Sequence, residues 1–196
     1  MPDRIGLFGG TFDPVHAGHV AIVESFLESG LIDELWVIPA PTPPHKTDQH
    51  ITSFEHRKRM LEQAFDHIKG VRITDIEERL PQPSYTIHTI QYLKQKYPEK
   101  KFYLCIGEDS LADFSSWYKP EKIVQICDLL VAERPDSNSR DQQNNFLENA
   151  RFVKHTPVDI SSTELRERLK EDGKSLEKDL PPDVLSYIRD NDLYND

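Results

Sequence analysis

An α/β fold organised around a parallel sheet is the architecture that this 196-residue sequence predicts. Three observations carry it. Short, mostly continuous apolar runs recur along the chain at residues 5–8, 34–39, 71–76, 101–107, 128–132 and 151–154, the pattern of strands covered on both faces rather than one. Stretches of helical periodicity lie between most of them. Beyond His155 the strand pattern stops and only helical segments follow. Strands that alternate with helices require right-handed crossovers between parallel neighbours.

The first helix is expected over about 16–29, burying Val20, Ile22, Val23 and Phe26. A second follows Ser53 through Met60, Leu61, Ala64 and Phe65. A third carries Ile87, Ile90 and Leu93 on one stripe, and a fourth starts near Pro120 with Ile123, Val124 and Ile126. In the C-terminal part, Ser161-Ser162-Thr163 supplies N-cap hydroxyls to a helix with Leu165, Arg166 and Leu169. Pro181-Pro182 precedes a last helix with Val184, Tyr187 and Ile188. The expected organisation is a single domain over 1–196, with an α/β core at 1–155 and a small helical appendage at 156–196. Residues 137–145 are polar and read as a mobile loop.

Composition excludes several classes. The 37% hydrophobic and 30% charged content is that of a globular protein, and no apolar run reaches the roughly 20 residues of a membrane span. The apolar run after the N-terminus stops at Gly9-Gly10, too short for a signal segment, so a cytoplasmic protein is expected. Cys105 and Cys127 each sit in an apolar segment, which favours core residues over a disulfide or a metal site. A formal net charge of −10 argues against broad nucleic-acid or membrane binding. Positive groups for an anionic ligand must therefore be concentrated locally.

The strongest motif is Gly9-Gly10-Thr11-Phe12-Asp13-Pro14-Val15-His16-Ala17-Gly18-His19, where a strand ends and a helix starts. Helix amides and the positive end of the dipole converge there, which suits phosphate. Gly9 and Gly10 would let a ligand approach the backbone, and Gly18 would keep bulk away from the helix start. His16 and His19, three residues apart, share one helical face and can donate to oxygens of one phosphate. The same spacing suits a zinc pair, but no third ligand lies nearby in sequence. A structural pair in a tight turn is the other alternative.

Later, Ser161, Ser162 and Thr163 at a helix start, with Arg166 about one turn on, form a second anion-binding terminus or else a plain N-cap with a solvated arginine. Lys46, with His45, adds positive charge to a proline-stiffened loop. Asp109, just after a strand, is placed to accept from ribose hydroxyls or to cap the helix containing Leu111. Trp117 is either a core residue or a platform for a planar ring, and Thr86 with its neighbouring amides can bond a ring carboxylate.

With its His16-Ala17-Gly18-His19 signature the chain resembles the nucleotidyltransferase superfamily, shared by small-molecule adenylyl- and cytidylyltransferases and, in variant form, by class I aminoacyl-tRNA synthetases. Pro43-Pro44-His45-Lys46, Ser84-Tyr85-Thr86, Gly107-Glu108-Asp109, Trp117-Tyr118-Lys119 and the run from Ile160 to Arg166 resemble, in order, segments of bacterial nicotinate-nucleotide adenylyltransferases. The resemblance implies a Rossmann-like nucleotidyltransferase fold. It also implies adenylyl transfer from ATP, with Mg2+ carried by the nucleotide, to nicotinate mononucleotide, giving nicotinate adenine dinucleotide and pyrophosphate. His16, His19, Lys46 and Arg166 would act on the reacting phosphates. Gly9, Gly10, Thr11, Phe12, Gly107, Asp109, Ile160, Ser161 and Ser162 would complete the ATP site. His45, Thr86 and Trp117 would hold the mononucleotide, and no protein metal ligand is implied.

The family usually has Asp two residues after Thr86, where this chain has His88. Alternatives are transfer to nicotinamide mononucleotide or phosphopantetheine, or a non-catalytic nucleotide-sensing module. A tRNA-synthetase fragment is disfavoured by the missing basic surface. Assembly as a homo-oligomer is common for such folds, but no interface is legible in the sequence.

Overall fold

The computed structural model describes residues 3–44, 51–134, 145–171 and 176–195. Six strands, β1 (Arg4–Gly10), β2 (Glu34–Pro39), β3 (Val71–Ile73), β4 (Lys101–Gly107), β5 (Asp128–Ala132) and β6 (Ala150–Val153), form one sheet in the order β3-β2-β1-β4-β5-β6. Every pairing is parallel. The helices are α1 (Ala17–Glu28), α2 (Phe54–Phe65), α3 (Thr86–Lys96), α4 (Glu108–Ala112), α5 (Pro120–Ile126), α6 (Ser162–Lys170) and α7 (Pro182–Asp190).

Alternation along each strand divides the core into two layers. Leu35, Val37, Tyr103, Cys105, Leu130 and Ala132 face one side, where Val23 and Phe26 of α1, Met60, Leu61 and Ala64 of α2, Leu165 of α6 and Val184, Leu185 and Ile188 of α7 cover them. Ile5, Leu7, Trp36, Ile38, Leu104, Ile106 and Val131 face the other, covered by Ile87, Ile90 and Leu93 of α3, Leu111 of α4 and Ile123 of α5. Both cysteines are buried free thiols, and burial pushes the Cys127 thiol up to about 12, out of reach of ionisation at neutral pH.

One expectation needs correction. The run at 71–76 is a strand only to Ile73: the Thr74 amide still bonds the Val37 carbonyl, and Ile76 then enters a 3₁₀ turn (Ile76–Arg79) that buries it against the opposite layer. The helical C-terminal part packs on the core, its α6 and α7 sharing one apolar cluster with α1 and α2. Of the polar 137–145 stretch, read as a mobile loop, residues 137–144 lie outside the described residues. No helix among the described residues is long and apolar enough to cross a membrane.

The sheet centre is tightly packed at Gly6 of β1. A Cβ there would stand 2.7 Å from Ile32 Cδ1 and 2.8 Å from Cys105 Sγ. Gly6→Ala should lower unfolding stability by about 1–3 kcal/mol through overpacking. A urea midpoint equal to that of the wild type would contradict this packing.

Candidate active site

Strand order reverses at β1: its partners are β2 on one side and β4 on the other. Loops that leave the two halves of such a sheet diverge and open a crevice at the carboxyl ends of the strands. A cavity of about 580 Å³ opens there, lined by Gly9, Gly10 and Thr11 after β1, Pro43 and Pro44 after β2, and Thr86 and Trp117. Glu77, Tyr85, Thr89, Tyr118 and Lys119 line the same cavity. It is the size of a small-molecule site.

The turn from β1 to α1 is held in a demanding conformation. Phe12 has φ +53°, in the left-handed region that a side chain enters at a cost. Its ring packs edge-on against Phe8 and His19, with centroids 5.6 and 5.0 Å away. A Cβ on Gly10 would sit 2.8 Å from that ring, so this glycine makes room for Phe12 as well as lining the cavity. At Gly18 a Cβ would come 3.1 Å from the His16 ring and 3.3 Å from Ile160, which fits the expectation for that position.

His16 is the N-cap of α1 and its backbone N–H donates to His19 Nδ1 at 3.3 Å. The two rings lie 3.8 Å apart, on one face as their spacing predicts. His16 is only 6% exposed, and its Nδ1 has no hydrogen-bond partner among the described residues. Burial is the main cause that lowers its pKa to about 4, with Asp179 opposing. His16 is thus neutral at pH 7, a hydrogen-bond donor or acceptor rather than a cation. The helix start is also not wholly open, since the Ala17 amide bonds the Asp179 carbonyl at 2.8 Å.

The two predicted anion-binding termini are side by side. Ser162 Oγ donates to the Pro14 carbonyl at 2.9 Å, and Arg166 Nη1 donates to the Asp13 carbonyl at 2.7 Å. Ser161 caps α6, its hydroxyl accepting from the Glu164 amide. Thr86 opens α3, and Trp117 follows a 3₁₀ turn (Phe114–Ser116) and packs on Phe114. Gly107, not Asp109, is the N-cap of α4, because the strand runs directly into the helix. Asp109 lies in the first turn, exposed and paired with Arg134 at 2.8 Å. His88 stands edge-on to Tyr85 and Tyr118. His45 and Lys46 lie outside the described residues. Among those described, no group of three or more His, Cys, Asp or Glu could hold a metal ion.

Sequence reading missed Arg57. It is 1% exposed, and its guanidinium donates to the carbonyls of Thr52, Thr11, Ala40 and Pro41, at 2.9, 2.7, 2.9 and 3.4 Å. The signal was available, since Arg57 stands on the same stripe as Met60, Leu61 and Ala64. Asp13 was also passed over, although it is buried and accepts from the Thr52 amide and the Tyr194 hydroxyl. Glu77, buried beside the cavity, accepts from Thr89 Oγ1 at 2.6 Å; burial raises its pKa, and nothing in the sequence marked it.

His16 gives the site a pH signature. The unfolded imidazole titrates near 6.5 and the folded one near 4, so the unfolded chain holds the extra proton between them. The contribution is full above pH 6.5 and is lost as pH falls toward 4, by about 3 kcal/mol in all. Denaturation at pH 7 and pH 5 should show a shallower loss in His16→Asn than in the wild type; equal losses would refute the buried neutral imidazole.

Known proteins resemble this chain over nearly its whole length. A family model described as cytidylyltransferase-like matches residues 7–168. A probable nicotinate-nucleotide adenylyltransferase of Shouchella clausii is 37% identical, over 98% of this chain and 97% of the relative. One of Bacteroides thetaiotaomicron is 36% identical, over 95% and 91%. Among solved structures, a Plasmodium falciparum nicotinic acid mononucleotide adenylyltransferase complexed with NaAD superposes with a TM-score of 0.82 at 22% identity, covering 98% of each chain, a likeness of fold. By fold, by family model and by near full-length identity, the chain belongs to the cytidylyltransferase-like family and, within it, to the nicotinate-nucleotide adenylyltransferases.

Proposed function

We propose that this enzyme transfers the adenylyl group of ATP to nicotinate mononucleotide, yielding nicotinate adenine dinucleotide and pyrophosphate in NAD biosynthesis. The observation that carries the reading is the juxtaposition of the His16/His19 turn with Ser162 and Arg166, in a motif whose first residues, Gly9, Gly10 and Thr11, line the same cavity as Thr86 and Trp117. Relatives named for this reaction support it over nearly the whole chain. So do folds solved with NaAD and with the ligand APC.

In the reaction a phosphate oxygen of the mononucleotide attacks the α-phosphorus in line. A new P–O bond forms as the α–β bridging bond breaks, and pyrophosphate leaves with the electron pair. The attacking phosphate is ionised near pH 7, so the protein need supply no general base. Its task is positioning and charge stabilisation. His16, as a neutral imidazole, and His19 donate to the α-phosphate, Lys46 neutralises it, and Arg166 with Ser161 and Ser162 holds the leaving pyrophosphate. Gly9, Gly10, Thr11 and Phe12 shape the backbone around the nucleotide, with Gly107, Asp109 and Ile160 at its margin. Magnesium arrives with ATP, held mainly by the phosphates. Trp117 stacks on the pyridine ring and Thr86 bonds its carboxylate, and the family resemblance assigns His45 to the mononucleotide phosphate. The reading treats the chain as a single cytoplasmic domain.

Pyrophosphate release with Mg-ATP should be fastest with nicotinate mononucleotide. Faster turnover with nicotinamide mononucleotide or phosphopantetheine would overturn the acceptor, and none with any would favour a nucleotide-sensing module. His19→Ala should lose about 10² to 10³ in rate while still unfolding in one cooperative transition. Undiminished turnover would remove that residue from the chemistry.

A further inference from the structure

The turn proposed to hold the nucleotide phosphates is fastened from a direction that the motifs do not reveal. After α7 the chain folds back: the Leu193 amide bonds the Ile188 carbonyl, and Leu193 and Tyr194 pack on the apolar cluster beneath α1 and α2. Asp192 and Tyr194 have φ +53° and +68°, left-handed conformations that side chains seldom adopt and that surrounding contacts must hold. The consequence is a polar cluster of Tyr194, Asp13 and Thr52. The Tyr194 hydroxyl donates to Asp13 Oδ1 at 2.6 Å, while Asp13 Oδ2 accepts from the Thr52 amide at 3.3 Å.

Asp13 is only 3% exposed, so its carboxylate depends on protein donors for what water would otherwise supply. The backbone carbonyl of the same residue takes the Arg166 guanidinium, and that of Thr11, two residues back, takes Arg57. Whatever fixes the Asp13 carboxylate therefore fixes the peptide on which Arg166 rests. We propose that Tyr194 is a positioning residue of the nucleotide site, its hydroxyl holding Asp13 so that the β1–α1 turn and Arg166 are arranged for the triphosphate before ATP arrives. Burial and the nearby Asp13 charge both raise the pKa of this phenol, so it remains a donor across the physiological range. The inference rests on reading the turn as the ATP-phosphate site.

Tyr194→Phe removes one oxygen and keeps the ring. Tyr187→Phe is the matched control: it deletes a hydroxyl from α7 that bonds His56 Nδ1 at 2.9 Å, away from the turn. Mg-ATP affinity is measured by calorimetry on all three proteins, with melting temperature and pyrophosphate release in parallel. Loss of a hydrogen bond to a buried charge predicts that Tyr194→Phe weakens Mg-ATP by about tenfold. Tyr187→Phe should stay within about twofold of the wild type. The KM for nicotinate mononucleotide should be unchanged in both variants, because its pocket lies across the crevice at α3. Equal ATP affinity in Tyr194→Phe and wild type overturns the proposal, as does equal weakening in both variants, which would mark a general loss of stability. A wild type that does not bind Mg-ATP overturns it together with the site reading. The predicted affinity pattern without pyrophosphate release would support the positioning role and reject the acceptor alone.

Discussion

Arg57 puts a permanent positive charge into the interior, and the ends of two neighbouring strands are organised by the need to accommodate it. A guanidinium taken out of water is costly unless its fork of N–H groups is matched. Here the match is made by backbone carbonyls of Thr11 after β1, of Ala40 and Pro41 after β2, and of Thr52 before α2. These peptides are where the chain leaves the sheet and has no ladder partner, so their carbonyls need donors from elsewhere. One side chain on α2 thus ties together the two loops that form one wall of the cavity.

The helical C-terminal part completes this arrangement. α7 packs its apolar face in the same layer as α1 and α2, which brings the Asp179 carbonyl to the Ala17 amide and Tyr194 to Asp13. α6 contributes Ser162 and Arg166 to the Pro14 and Asp13 carbonyls. The turn between Gly10 and His16 is therefore held by α2, by α6 and by the segments flanking α7. Such redundancy is what a left-handed Phe12 requires, because a strained backbone persists only where its surroundings over-determine it.

Much of the fold was legible because it rests on periodicity. The unalternating runs of β2, β4 and β5 follow from burial on both faces, and the stripes of α1, α2 and α3 from burial on one. The short strand β3 misled because Ile76 is apolar for a different reason, its packing in the opposite layer. The site divides in the same way. Local motifs announce themselves, so the His16/His19 pair and the Ser161 cap could be read directly. Partners brought in from far along the chain could not: Asp13 and Tyr194 meet only through the fold, and Arg57, although its place on the apolar stripe of α2 marks it as buried, finds its carbonyl acceptors only there. That Asp109 follows Gly107 into α4 rather than capping it depends on how abruptly β4 becomes helix, a matter of backbone geometry that residue types do not encode.

The electrostatics of the crevice follow from the same network. A chain of net charge −10 must concentrate positive potential to bind a triphosphate, and neutral His16 does not provide it. Arg57 cannot reach a ligand in the cavity, yet its charge lies within hydrogen-bonding distance of the turn's backbone and is poorly screened by water there. Arg166 is more exposed and holds two protein acceptors, the Asp13 carbonyl and Thr163 Oγ1. A guanidinium has five N–H donors, so these bonds orient the side chain without exhausting it. An arginine already held in place gives up less conformational entropy when it meets a phosphate than one waving in solvent. On the proposed reading the interior arginine adds to the field and the outer one makes the contact, and the backbone of a single turn joins them.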